Sequence, residues 1–429
     1  MYYFVTGSSA ETPVDEVSTA EELAAKLLAD TRNRESRPFD FYIGKGEVNG
    51  FTGLFGSGRS ESVRAVFGAD PVTGGKVTMD GKKVQIAKPL IAILLLVIFN
   101  LFRDPSFFSV GQTTNNNGDP VLQGNLISIL NGASELVILS MGMTLVTAAS
   151  GGQDISVGAL AAIAGSVFVK VLKSGGSISP LLVLGTFLMC CAVAMVFGTF
   201  NGGLVALFNI QPMIATLILF TCGRSTTYWI NGGATPTVSS PIINAIGSFI
   251  PGIPVPTPIL IVLLMGILFA LLFRFTTLGL YIQTVGINQR AARLNGIHSV
   301  GIKLLSFVLL GACCAVAGMI GVSRLGLINH ETLLINIEMD AILAVAIGGN
   351  SLGGGKFRML GSVLGAYAIQ ALTITLYAMK VPSTDVKAYK AVVIVLLVVM
   401  GSLVVKEAAG RLGKKLRGGR ASGAGKEAA

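Results

Sequence analysis

Long apolar runs, separated by short polar stretches, fill the chain from about residue 89 to residue 405. A helix of about twenty apolar residues crosses the hydrocarbon core of a bilayer, and transporters also use shorter or Gly-interrupted segments. The pattern predicts about ten transmembrane helices, at residues 89–102, 124–149, 155–173, 180–208, 212–230, 255–274, 303–326, 339–350, 360–379 and 388–405. We therefore expect an all-α polytopic membrane protein with a small α/β appendage at its N-terminus.

The composition supports this interpretation. Of the 429 residues, 52% are hydrophobic and only 13% are charged, and the mean hydropathy is +0.72. Soluble domains carry about 25% charged residues, so this chain has too little polar surface to coat a soluble globule of its size. The 54 glycines suit a membrane bundle, in which small residues let helices approach closely.

The basic residues predict the topology. Cytoplasmic loops carry an excess of Lys and Arg, and the loop 275–302 contains Arg290 and Arg293, whereas the loop 231–254 contains neither residue type. Basic residues also flank the two ends of the membrane region, at Lys76, Lys82, Lys83, Lys88, Lys406, Arg411, Lys414, Lys415, Arg417, Arg420 and Lys426. Both termini are thus expected in the cytoplasm.

The same distribution explains the net charge of +10 without nucleic acid as a partner. The segment 406–429 is rich in Gly, Ala and Lys, and we expect a disordered tail that contacts anionic membrane lipid.

The composition changes at Lys88 and Pro89, and two further regions precede this change. Residues 1–37 form an acidic segment. Residues 38–86 contain GEVNGFTGLFGSGRSESVRAVFGA, in which a strand-like piece, a Gly-rich turn and a helix follow one another as in a phosphate-binding loop. The loop positions are Gly53, Gly56, Gly58, Arg59 and Ser60.

This loop is degenerate, because Arg59 occupies the position of the catalytic lysine. ATP hydrolysis also needs a carboxylate-bearing strand to hold Mg²⁺, and no apolar strand ending in Asp-Glu follows. The SGGQ at residues 150–153 matches part of an ATPase signature, but it lies between two apolar runs and not on a soluble helix. We expect no enzyme activity and no bound cofactor on this chain, so that any ATP is used by a partner subunit.

Residues 38–86 resemble a piece of the second nucleotide-binding domain of monosaccharide ABC ATPases. The resemblance covers about fifty residues, and half a domain core rarely folds alone. A vestigial fusion, a docking appendage and a misassigned start of translation remain open as its origin. We favour the first or the third.

Ionisable and amide side chains inside apolar runs are the candidate pathway residues, because such groups are costly in a membrane and often functional. They are Glu135, Asp154, Asn201, Gln211, Glu338 and Asp340. For Asp154 we favour capping of the next helix over a place in the pathway, and negative charge at Glu338 and Asp340 also suits the helix dipole. Hydrogen bonds between helices explain Asn201 and Gln211 at least as well as sugar contact does. The five cysteines lack metal-type spacing, so we predict no metal site.

Residues 89–405 resemble the permease subunits of monosaccharide-type ABC importers, most closely those of the galactofuranose class. The resemblance rests on GGQDISVGALAAIAG, on NGGLVALFNIQPMIATLILFTCGRSTTYWINGG, on TTLGLYIQTVGINQRAARLNGI and on EMDAILAVAIGGNSLGGG. Gln153 departs from the apolar residue usual at that position. The resemblance implies a pathway for a monosaccharide of the galactofuranose, ribose or galactose class. It also implies three partners: an ABC ATPase, a periplasmic or lipid-anchored sugar-binding protein and a second permease chain, identical or different.

The stretch GINQRAARLNGIHSVGIK supplies the coupling helix that this resemblance implies, a short helix seated in a cleft of the ATPase. In this stretch Asn288 is the candidate N-cap, and Ala291 and Ala292 are small enough for close contact. Arg293 is polar, and Gly296 ends the helix. From the residues alone, an ordinary amphipathic surface loop is an equally good interpretation.

Two other functional classes remain as alternatives. An ion-coupled secondary transporter would use intramembrane acids such as Glu135 and Asp154. An ATPase would have to hydrolyse ATP, and the degenerate phosphate loop argues against this.

Overall fold

The computed structural model describes residues 4–6, 39–41, 78–79, 82–83, 87–114, 120–176, 178–386 and 388–392. The chain divides into two compact units, Met1–Val84 and Gln85–Ala429. In the first unit, β1 (Phe4–Thr6) pairs antiparallel with β2 (Phe39–Phe41), and β3 (Thr78–Met79) pairs antiparallel with β4 (Lys82–Lys83). The predicted phosphate loop, from Gly53 to Ser60, and the predicted tail 406–429 lie outside the described residues.

The described part of the second unit consists of helices and one hairpin, with the connections between them. The hairpin pairs β5 (Gly111–Thr114) with β6 (Pro120–Gln123). The helices are α1 (Ala87–Arg103), α2 (Asn125–Gly132), α3 (Ser134–Ser150), α4 (Val157–Ser174), α5 (Pro180–Ala206), α6 (Pro212–Ile230), α7 (Pro241–Gly247), α8 (Thr257–Phe275), α9 (Leu278–Ile287), α10 (Gln289–Leu294), α11 (Ser299–Leu325), α12 (Ile337–Ile347) and α13 (Met359–Ala378).

Five of the described helices are long and apolar enough to cross a membrane: α4, α5, α8, α11 and α13. The pair α2 and α3 bends by 42° and adds a sixth crossing if it forms one span. This confirms a polytopic helical membrane protein. The count of ten stays a prediction, because α12 has only 11 residues and the last apolar run is described only to residue 392.

The core lies where α11 packs against α3, α4 and α5. Small residues allow this packing. A Cβ atom at Gly318 of α11 would collide with the carbonyl oxygen of Ala161 in α4, and one at Gly311 would lie 2.5 Å from the carbonyl oxygen of Ala194 in α5. Backbone-to-backbone contact of this kind replaces the hydrophobic drive that lipid does not supply. Helix α3 is buried from Ser134 to Ala149 and forms the centre of the unit.

The connections between helices gather at two opposite ends of this bundle. At one end, called here the coupling end, the turn after α3, the turn between α5 and α6, the segment 286–293 and the loop 348–355 lie near one another. At the other, called the far end, the N–H of Val238 donates to the carbonyl of Gly326 at 2.9 Å, and the N–H of Leu122 donates to that of Pro254 at 2.9 Å. Successive apolar runs therefore pass through the bundle in alternating directions.

Candidate coupling and pathway site

Helix α3 ends at a glycine pair that breaks the apolar run. Gly151 has φ +69°, in the left-handed region that ends helices and that glycine adopts without a steric penalty. A side chain at Gly152 would overlap the ring of Pro212, with a Cβ only 2.7 Å from its Cγ. The two glycines thus bring the start of α6 against the end of α3, and the chain then turns into α4.

A buried polar cluster holds this turn. Asp154 is 1% exposed, and its Oδ1 accepts the N–H of Ser156 at 2.7 Å and the hydroxyl of Ser156 at 2.6 Å. Asn201 of α5 donates through Nδ2 to Ser156 Oγ at 2.9 Å and to Asp154 Oδ2 at 3.4 Å. Ser156 directly precedes α4, so the carboxylate fixes the beginning of α4 and ties it to α5. These contacts favour the capping and interhelical roles for Asp154 and Asn201.

Three backbones meet beside this cluster at what we call the glycine contact, formed by Gly151, Gly286, Gly354 and Gly355. The N–H of Gly355 donates to the carbonyl of Ala148 at 3.0 Å, and Gly354 packs on Gly151. Gly286, near the end of α9, has no room for a Cβ because the carbonyl of Ala148 and the N–H of Gly355 occupy that space. No side chain separates these segments, so α9 is in direct backbone contact with α3 and with the loop 348–355.

Helix α10 follows Gly286 after one residue and a cap. Asn288 has an extended backbone, and its Oδ1 accepts the N–H groups of Arg290 at 3.0 Å and Ala291 at 3.1 Å. The side chain therefore satisfies two of the free N–H groups at the helix start, as an N-cap does. Gly296, with φ +78°, donates its N–H to the carbonyl of Arg293 at 3.0 Å and turns the chain away after the last helical residue.

The inner side of α10 is anchored to the first turn of α11. Arg293 Nε donates to Ser299 Oγ at 2.8 Å, and Lys303 Nζ donates to Gln289 Oε1 at 2.8 Å. Ala292 is fully buried by this chain itself, so it packs inward and leaves partner contact to its neighbours. Leu294, in contrast, is 90% exposed.

An open depression of about 560 Å³ lies beside α10 at the coupling end. Its lining combines two arginines, amide side chains and one apolar residue, namely Asn209, Ile287, Asn288, Gln289, Arg290 and Arg293. Arginine forks bind carboxylates in pairs of hydrogen bonds, so this surface suits a ridge that carries Asp or Glu beside an apolar side chain.

Two of the predicted pathway acids are paired towards the far end. Glu135 is 5% exposed, and its Oε1 lies 3.5 Å from Arg324 Nε. Asp340 is half-buried, and its Oδ2 lies 2.6 Å from Lys390 Nζ. Both acids therefore have a structural partner at one end of the bundle. Gln211 is exposed in the turn before α6 at the coupling end, apart from these two pairs.

Glu338 is the remaining predicted acid. It is 2% exposed, and its Oε2 has no hydrogen-bond partner among the described residues. Arg224 of α6 lies close by and donates to backbone carbonyls of the segment between α11 and α12.

A second depression, of about 330 Å³, lies at the far end, between the end of α1 and the end of α13. Arg103 and Asp104 contribute opposite charges to its lining. Ser106 donates its hydroxyl and its N–H to Asp104 Oδ1, at 2.6 Å and 2.9 Å, which lowers the pKa of this exposed carboxyl. Within the described part of the chain, no three His, Cys, Asp or Glu side chains lie together in a way that could hold a metal ion.

Sequence reasoning did not find the glycine contact or the anchoring of α10 by Gln289, Ser299 and Lys303. The glycines of GGNSLGGG, at 348–355, indicate that another backbone can approach closely. Nothing in this stretch indicates that the approaching backbones are those of Ala148 and Gly286.

Comparison with known proteins identifies the second unit. The family described as "Branched-chain amino acid transport system / permease component" matches residues 125–401. The chain belongs to this permease family. It is 39% identical to the galactofuranose transporter permease protein YtfT of Escherichia coli over 73% of this chain and 88% of that protein. It is 35% identical to the ribose import permease protein RbsC of Escherichia coli, over 73% and 92%, and 34% identical to the fructose import permease protein FruF of Bifidobacterium longum, over 72% and 86%.

No solved structure matches this permease. The matched range contains the polar cluster, the glycine contact, α10 and both depressions in whole or in part. Members of this family are permease components of ABC transporters and not enzymes, and they work with ATPase and substrate-binding partners. The family and the apolar helices make this permease a multi-pass protein of the inner membrane.

Proposed function

We propose that this permease forms the translocation pathway for a monosaccharide of the galactofuranose, ribose or galactose class in an ABC importer. The observation that carries the proposal is its similarity to galactofuranose, ribose and fructose permeases over nearly their whole length. A periplasmic or lipid-anchored sugar-binding protein delivers the sugar to the far end, where the smaller depression lies. A second permease chain, identical or different, completes the pathway.

The ATPase partner engages α10 at the coupling end. Support comes from the exposed Arg290 and Leu294 beside the depression of about 560 Å³, and from the anchored inner side of the same helix. A helix that is rigidly attached to α11, and adjoins the glycine contact, transmits a push to α3 and α4. The coupling end is cytoplasmic in this proposal, with both termini on the same side, as the basic residues predict.

The N-terminal 38–86 piece takes no part in transport in this proposal. The ATP is bound and hydrolysed by the partner, and this chain binds no cofactor. The basic segment 406–429 contacts anionic lipid.

Reconstituted vesicles test the function directly. The permease is placed in liposomes with the companion ATPase and binding protein, and uptake of labelled galactofuranose, ribose and galactose is measured. The proposal predicts uptake of one of these sugars that requires ATP and both partners.

The same vesicles separate the alternatives. Uptake that a protonophore abolishes at constant ATP would identify an ion-coupled transporter, with Glu135 and Asp154 as the first residues to test. ATP hydrolysis by the purified permease alone would identify an ATPase. Either result would refute the proposed function.

A further inference from the structure

The connection between α11 and α12, residues 327–336, is called here the strap. It lies at the far end and is held to the neighbouring connection, because the N–H of Ile328 donates to the carbonyl of Pro236 at 3.2 Å. Its Leu333 is 1% exposed and inserts between two helices. A Cβ at Gly165 of α4 would lie 3.3 Å from Leu333 Cδ2, and one at Gly321 of α11 would lie 3.2 Å from Leu333 Cδ1. The two glycines thus form a socket for this side chain.

The strap ends in a strained backbone. Leu334 has φ +48° and Asn336 has φ +63°, although neither is glycine. This left-handed region is sparsely populated for residues with a Cβ, least of all for a bulky side chain, and it persists only when surrounding contacts enforce it. Contacts from neighbouring residues must therefore hold the strap in this conformation.

Arg224 of α6 makes those contacts. Its Nη1 donates to the carbonyls of His330 at 3.0 Å and Leu333 at 2.7 Å, and its Nη2 reaches that of Leu334 at 3.5 Å. Tyr228, one turn further along α6, packs edge-on against the His330 ring at 5.0 Å between centroids. A single guanidinium from another helix thus holds the strap backbone near the buried Leu333, from His330 to Leu334.

Glu338 lies near the same guanidinium and near the strap. A Cβ at Gly158 of α4 would be 2.5 Å from Glu338 Oε2, 2.9 Å from the carbonyl oxygen of Leu334 and 3.3 Å from Arg224 Nη2. The three groups therefore border one small space that no side chain fills. In it, Oε2 of the buried Glu338 has no hydrogen-bond partner among the described residues.

We propose that Arg224 is a latch with two positions. On the strap carbonyls it holds the far end closed, and on Glu338 it leaves the strap free to move when the transporter opens. The second position has a physical reason: a half-buried guanidinium that lost its acceptors would be unfavourable, and the unpartnered oxygen of the buried Glu338 offers a replacement. This latch rests on the proposed function, because it places the strap across the sugar pathway.

Hydrogen–deuterium exchange of the full-length permease in lipid nanodiscs tests the first position without sugar or partners. The readout is the exchange of strap amides such as that of Leu333, whose N–H donates to the carbonyl of Asn329 at 3.0 Å. Arg224→Lys keeps the charge but loses the fork, so strap exchange should rise about tenfold. Arg103→Lys is the matched control, because Arg103 donates at 3.0 Å to a single carbonyl at the same end, that of Ala378, and it should leave the strap unchanged.

A second variant keeps this test decisive if Arg224→Lys folds poorly. Gly158→Ala leaves Arg224 and Glu338 in the sequence, but its methyl would meet Glu338 Oε2 at 2.5 Å and the Leu334 carbonyl at 2.9 Å. It should therefore also accelerate strap exchange while peptides of α3 stay protected. Wild-type exchange rates in both variants would overturn the latch. A rise in the Arg103 control equal to that of Arg224→Lys would also overturn it.

Glu338→Gln tests the second position in vesicles that contain ATPase and binding protein. The amide keeps the shape of the side chain but binds a guanidinium more weakly, so strap exchange should stay at the wild-type rate while uptake falls about tenfold. Uptake at the wild-type rate would overturn the second position. A wild-type permease that imports no sugar would count against the proposed function alone, since the exchange result stands without transport.

Discussion

Replacing Gly286 by alanine probes the glycine contact. The added methyl would overlap the carbonyl of Ala148 and would lie 2.7 Å from the backbone nitrogen of Gly355. Carbon atoms in van der Waals contact stand about 3.5–4.0 Å from their neighbours, so α9 and the loop 348–355 must separate by about 1 Å. Both obstacles are backbone atoms, which cannot rotate away as a flexible side chain does.

The expected destabilisation follows from two opposing effects. Overpacking of a tight contact costs about 1–3 kcal/mol, whereas alanine stabilises a helical position by about 0.5–1 kcal/mol relative to glycine. Because the contact is backbone on both sides, the cost lies near the top of its range, and the net loss is about 2 kcal/mol. Gly203→Ala in α5 is the matched control, since a Cβ there meets nothing within 4 Å and only the helical gain remains.

Two measurements on the reconstituted transporter test this prediction. Gly286→Ala should insert normally, melt at a lower temperature than the wild type, and import fewer sugar molecules per ATP hydrolysed, because α9 is displaced from α3. Gly203→Ala should match or exceed the wild-type melting temperature and keep its transport ratio. Wild-type melting and transport in Gly286→Ala would refute the idea that this contact is tight and transmits movement.

Four further predictions concern the other parts of the site. Asp154→Ala removes the acceptor of three hydrogen bonds and should lower stability in a melting assay by about 1–3 kcal/mol, with a smaller loss for Asp154→Asn; equal stability would contradict the capping role. Asn288→Ala should cost about 1 kcal/mol at the start of α10 and weaken co-purification with the ATPase without affecting insertion. Gly296→Pro replaces a φ of +78° with one near −65° and should uncouple ATP hydrolysis from uptake; normal coupling would argue against α10 as the site of force transfer. Deletion of residues 1–85 should leave transport intact, and a truncated chain that inserts but does not transport would show that the N-terminal piece is needed.

The sequence was sufficient for the helices whose boundaries are set locally. The run predicted at 180–208 is helix Pro180–Ala206, and the run predicted at 360–379 is helix Met359–Ala378. Proline at the first turn and an uninterrupted apolar composition define such elements without tertiary information. The cap formed by Asn288 is local in the same sense, since donor and acceptor lie within three residues.

Interactions between distant segments escaped prediction. The run 124–149 is bent by 42° into Asn125–Gly132 and Ser134–Ser150, and the apolar pattern did not show this bend. Burial also changed the interpretation of individual residues. The small side chain of Ala292 was expected to admit a partner closely, but it is covered by this chain, because the Gln289 and Arg293 contacts turn that side of α10 inward.

That inward turn leaves Arg290, Arg293 and Leu294 as the exposed residues of α10. A bacterium that runs several importers of this kind must keep each permease with its own motor, and on this helix the freely reachable side chains include Arg290 and Leu294. Fidelity of pairing between parallel systems would then depend on a short exposed patch, backed by side chains that this chain already holds to α11.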